Sequence, residues 1–120
     1  MTGVQTCALP ISALCKGKGD VLVMASDLNS TEIRKTADEI LNDCGGICVV
    51  MSGDDENGYR YAAGIRGGDI RELVEDMNRK LEGRGGGKPF FAQGSLRGSI
   101  NRIEDYFRQK NYAVFHGFSG

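Results

Sequence analysis

Gly83-Arg84-Gly85-Gly86-Gly87-Lys88 puts four glycines and two cations into six residues, and Pro89-Phe90-Phe91-Ala92-Gln93-Gly94 follows at once. Glycine lets backbone N–H groups turn toward an anion at φ values other residues avoid, and it admits a phosphate close to the main chain. Arg84 can fork onto phosphate oxygens, while Lys88 supplies a mobile point charge. The segment is therefore read as a loop that cradles an anion. The same composition also suits a flexible helix-to-strand connection carrying two solvated cations.

No other cluster competes with it. Asp54-Asp55-Glu56 lacks the spacing of a calcium loop and reads as a solvated hairpin turn. Gly67-Gly68-Asp69 is read as a capped helix start, with Asp69 as N-cap. Tyr59 and Tyr61 share one strand face, which suits core packing better than base stacking. The only histidine is His116, and Cys7, Cys15, Cys44 and Cys48 have neither C-x-x-C spacing nor a histidine partner. Buried, reduced thiols are expected. No Ser-His-Asp set, Cys-His pair, zinc-ligand cluster or Walker loop is present, so these residues carry no catalytic site.

Composition bounds the partners. The 120 residues suffice for a single domain with one core. Fifteen basic and sixteen acidic side chains leave a net charge of −1, so nothing draws the whole molecule toward nucleic acid or an anionic membrane. Any nucleic-acid contact must come from a local patch. No apolar run approaches the roughly 20 residues of a membrane span.

The elements that must position the glycine segment follow from periodicity. Val21-Leu22-Val23-Met24-Ala25 reads as a buried strand. Asn29 or Ser30 caps a helix whose face is Ile33, Ala37, Ile40, Leu41 and Cys44, and Gly45-Gly46 ends it. Ile47 to Met51 and Tyr59 to Ile65 form an antiparallel hairpin. A second helix buries Ile70, Leu73, Val74, Met77 and Leu81, and stops at Gly83. Phe90-Phe91-Ala92 reads as a short strand. Ser99 caps a third helix with Ile100, Ile103, Tyr106 and Phe107 inward. Ala113-Val114-Phe115 reads as either an edge strand or a loose tail. The predicted class is α/β (α+β): one domain, with a mixed sheet of four to five strands covered by three helices.

The N-terminus reads differently. Met1-Thr2-Gly3-Val4-Gln5-Thr6-Cys7-Ala8-Leu9-Pro10-Ile11 lacks the basic n-region of a secretory leader. It resembles the conceptual translation of a sequencing-library adapter, with Ser12 fitting the next codon. The expected division is thus adapter over residues 1–12, a truncated linker over 13–19, a folded domain over 20–107 and a tail of open structure over 108–120.

The run from Gly83 to Gly94, with its capped helix before and Pro89-x-x-Ala92-Gln93 within, resembles the signature of the DHH-associated domain. That domain is shared by alanyl-tRNA synthetases, long alanyl-tRNA editing proteins and DHH-family phosphoesterases. Lys88 stands where the phosphoesterase branch has His, so the resemblance points to the synthetase and editing branch. Gln93-Gly94-Ser95 is more similar to the editing proteins. The resemblance implies a cytoplasmic, tRNA-binding accessory domain whose catalytic partner domain, a zinc-dependent deacylase, lies outside this chain. Zinc is expected only there. It further implies backbone contacts to tRNA from Gly85, Gly86 and Gly87, charge contacts from Arg84 and Lys88, and a supporting role for Gln93. Left open are a phosphoesterase substrate domain, the C-terminal domain of alanyl-tRNA synthetase, and a dimerisation module that forms a homodimer.

Overall fold

The structure, a computed structural model, describes residues 19–26 and 28–119; the adapter-like segment, Cys7 and Cys15 lie outside the described residues. In chain order the elements are β1 (Gly19–Ser26), α1 (Ser30–Cys44), β2 (Gly45–Asp54), β3 (Gly58–Gly64), α2 (Arg71–Lys80), β4 (Arg84–Lys88), β5 (Phe91–Leu96), α3 (Ile100–Gln109) and β6 (Ala113–Ser119). They form one mixed sheet in the order β4-β5-β3-β2-β1-β6. The class matches expectation, with six strands instead of four to five.

β1 runs parallel to β2 through the α1 crossover and parallel to β6 on its other side. β2, β3, β5 and β4 are joined antiparallel. α1 packs Ile33, Ala37, Ile40 and Leu41 onto Val21, Val23, Val50 and Ala62 on one sheet face. α2 and α3 pack Ile70, Val74, Met77, Ile103 and Phe107 onto Leu22, Met51, Tyr61 and Leu96 on the other. Tyr59 and Tyr61 are core residues of that second face, as their spacing suggests. Cys48 is buried as a thiol. The side chain of Cys44 lies outside the described ones.

Local chemistry sets most boundaries. Asn29 caps α1 in a capping box: its side chain accepts from Glu32 N–H, and the Glu32 carboxylate accepts from Asn29 N–H. Gly45 ends α1 in the left-handed conformation at φ 85°. Ser99 accepts from Arg102 N–H at the start of α3.

One expectation fails at a helix start, and one open reading is decided. Asp69 is not the N-cap of α2; Ile70 occupies that position without a side-chain cap bond. Asp69 instead accepts from Arg71 N–H at 2.9 Å and pairs with the Arg71 guanidinium at 2.7 Å, so its carboxylate turns toward the neighbouring cation. Of the two readings of Ala113-Val114-Phe115, the fold adopts the edge strand. Asn111 takes φ 67°, and Tyr112 N–H bonds back to the Phe107 carbonyl, a Schellman closure that turns the chain into β6.

Candidate nucleic-acid interface

The glycine segment is a strand. Arg84, Gly85, Gly86, Gly87 and Lys88 pair antiparallel with Ser95, Gly94, Gln93, Ala92 and Phe91 in turn. None of its glycines has positive φ, so the expected anion-cradling loop is absent and backbone N–H groups are not gathered into a concavity. The physical reason lies on its inner face. A Cβ on Gly85 would sit 2.5 Å from the Tyr61 hydroxyl, and one on Gly87 would sit 2.6 Å from the Phe91 carbonyl oxygen. These glycines let β4 lie close against its neighbours. A Cβ on Gly86 would meet nothing within 4 Å.

The helix before β4 also stops otherwise than expected. Glu82, not Gly83, takes the left-handed turn at φ 51°, and Gly83 N–H bonds the Asn78 carbonyl at 2.8 Å. Gly83 is needed for space: a Cβ there would come within 2.3 Å of Leu96 Cδ2. Asn78 continues the tether, since its side-chain amide donates to the Gly85 carbonyl and its Oδ1 accepts from the Tyr61 hydroxyl, both at 3.3 Å.

Strand alternation then decides where the charges point. Gly85 faces Tyr61, so Arg84, Gly86 and Lys88 face the opposite side, the α1 side of the sheet. α1 covers β1, β2 and β3 but leaves the β5 and β4 end of that face open. Between the flank of α1 and these strands runs a groove of ≈ 700 Å³. Arg34, Lys35 and Asp38 of α1, Arg66 after β3, and Gly86, Lys88 and Gln93 line it. Four cations thus face it against one carboxylate, Asp38, which pairs with Arg66 at 3.4 Å between two exposed side chains.

Aromatic rings stand among these cations. Phe90 is 53% exposed and is the exposed large hydrophobic residue among those described. Lys88 Nζ lies 5.6 Å from its ring centroid, and Arg34 Cζ lies 5.7 Å from that of Phe91. Phe91 can reach the groove because Gly64 beneath it has no Cβ; one there would come within 2.9 Å of the Phe91 ring.

Among the residues read from the sequence, the fold brings Arg84, Gly86, Lys88 and Gln93 onto one face, and turns Gly85 and Gly87 toward α2. The side chain of Gln93 lines the groove and its backbone is the ladder partner of Gly86. Arg34, Lys35, Arg66 and Phe90 were not singled out. They come from α1 and two turns, and only the assembled sheet puts them beside β4; no spacing within one segment marks them. Among the described residues no group of His, Cys, Asp or Glu is placed to hold a metal ion, and no helix is long and apolar enough to cross a membrane.

Comparison with known proteins agrees with this fold. The family model described as the DHHA1 domain matches residues 17–111. Relatives include alanine–tRNA ligases of Acholeplasma laidlawii (25% identical over 89 residues, 74% of this chain and 10% of that protein) and Methanospirillum hungatei (33% over 85 residues, 71% and 9%). A third is the alanine–tRNA ligase of Mycolicibacterium vanbaalenii, 30% identical over 112 residues, 82% of this chain and 12% of that protein. The chain thus spans about a tenth of each relative's length. The crystal structure of the C-Ala domain from Aquifex aeolicus alanyl-tRNA synthetase superimposes with a TM-score of 0.63 at 17% identity, covering 79% of this chain and 92% of that one.

Proposed function

The chain belongs to the DHHA1 domain family, and from that premise we propose that it is a tRNA-binding accessory domain that grips RNA in the groove between α1 and β4. One observation carries the reading: a molecule of net charge −1 concentrates Arg34, Lys35, Arg66 and Lys88 around one groove holding a single carboxylate. A local basic patch with an exposed aromatic ring suits a phosphate backbone with a base beside it. The role is binding and positioning, and the chemistry on the bound RNA belongs to another domain of the parent protein.

For that parent we prefer an alanyl-tRNA synthetase over a zinc-dependent alanyl-tRNA editing protein. The Gln93-Gly94-Ser95 continuation favours the editing protein, but the full-length relatives named above are alanine–tRNA ligases.

The test is a salt titration of tRNA binding. Arg84→Ala with Lys88→Ala should weaken binding and flatten the plot of log K against log salt by about 1.4 to 1.8, at roughly 0.7 to 0.9 per lost phosphate contact. An unchanged affinity and slope sinks the reading. That outcome would favour a module in which β4, at the sheet edge, pairs with a second copy.

A further inference from the structure

The groove does not end at the glycine strand. Its floor continues along β4 and β5 to the margin of β3, and the registers align Lys88, Phe91 and Gly64 in one row, Gly86, Gln93 and Ala62 in the next, and Arg84, Ser95 and Arg60 in a third. Of the β3 members Arg60 is exposed, while Ala62 and Gly64 are buried. Tyr61 and Gly85 face α2 and α3, so all nine of these positions face the α1 side. Arg60 proves its own side: its guanidinium lies 3.5 Å from Ser30 Oγ, at the start of α1. A second hollow of ≈ 360 Å³, lined by Ser30, Arg60, Gln93 and Ser95 among others, adjoins the first and shares Gln93 with it.

The pattern is a track with cations at both ends and small or polar residues between. The outer rows lie four residues apart along each strand, about 13 Å at ~3.3 Å per residue. Because α1 covers Ala62 and Phe91 covers Gly64, the open floor is β4 and β5, about 5 Å across at ~4.8 Å per step, with exposed Arg60 at its margin. That is narrower than a double helix is thick, so a duplex could rest only on its rim, whereas unpaired bases are free to splay and stack on protein side chains. A single extended strand fits within it. Phe90 stands at one end as a surface for a base, Gln93 offers amide donors and an acceptor at the centre, and Arg60 waits at the far end.

We infer that the domain holds an unpaired stretch of RNA along this track, with Arg60 as a phosphate anchor that the glycine motif does not include. The inference rests on the groove's being the RNA interface, and the two can fail separately.

The experiment is a salt titration of a fluorescein-labelled oligouridylate, beside an RNA duplex, against the whole chain and three variants. Arg60→Ala removes the anchor. Arg84→Ala with Lys88→Ala removes the motif's cations. Arg79→Ala, on α2 across the sheet and largely exposed, removes one charge as Arg60→Ala does and serves as its control. Far-UV circular dichroism checks that each variant is folded.

Arg60→Ala should weaken oligouridylate binding roughly tenfold, the worth of one charged contact, and lower the salt slope by about 0.7. The control should change neither. If Arg60→Ala matches the control while the double variant loses affinity, the track is overturned and the groove reading stands. If the duplex binds more tightly than the single strand, the track is likewise overturned. If neither groove variant differs from the control, both are.

Discussion

The three central glycines of β4 look alike in sequence and do different work in the fold. Gly85 and Gly87 lie where a methyl group would press on the Tyr61 hydroxyl and on β5 backbone, and Gly86 faces open space. Gly85→Ala or Gly87→Ala should therefore cost about 1–3 kcal/mol of stability, as overpacking does. Gly86→Ala should leave stability unchanged or raise it by about 0.5–1 kcal/mol, because alanine loses less backbone freedom in a strand. Its methyl group would still obstruct the floor of the groove, so RNA affinity should fall. Thermal melting and an RNA titration on the same three variants separate these effects. Spacing marked the segment but could not rank its glycines. That ranking depends on Tyr61 and Phe91, which reach β4 only through tertiary pairing.

Among the elements, those whose signals are local were legible and those made by distant partners were not. The Asn29 and Glu32 capping box, the apolar faces of the three helices and the β2–β3 hairpin all follow from spacing within one segment. β4 gave no such signal, because Gly85, Gly86 and Gly87 have no side chains to alternate. Its strand character comes from β5 on one side and Asn78 on the other. Once β4 is known to be a strand, the shared face of Arg84 and Lys88 follows from the period of two, whereas a loop reading leaves their directions open. Asn78 is the residue that holds the element in place. Asn78→Ala should cost about 1 kcal/mol through the two lost hydrogen bonds. It should quicken amide exchange in β4 while leaving β2 and β3 protected. Equal acceleration everywhere would show that the anchor is not local.

At the scale of the molecule, charge and topology set how the fold responds to its surroundings. Asp76 accepts a hydrogen bond from the Tyr106 hydroxyl at 2.5 Å and has Arg79, Lys80 and Lys110 within 2.9, 3.6 and 3.7 Å. The Tyr106 bond first, and those cations with it, hold its carboxyl below the ordinary value of 3.8. Asp54, bonded by Asn57, and Asp69, bonded by Arg71, are lowered too. At acid pH the unfolded chain therefore binds more protons than the folded one. Stability is present above about pH 4 and is lost as pH falls further. Burial raises Tyr59, Tyr61, Tyr106 and Tyr112, so stability holds below about pH 10 and declines above it. Urea midpoints measured across pH should trace both limbs, and Asp76→Asn should flatten the acid one. The pairing of β1 with β6 has a different consequence, in time. These two strands lie at opposite ends of the described chain and run parallel, so closing them carries the largest loop entropy in the sheet. Until Ala113 and the residues after it have been synthesised, Val21-Leu22-Val23 forms an uncovered apolar border, open to strands of other nascent chains. Of the six strands of this sheet, the one that leaves the ribosome after the others is thus the one that shields β1.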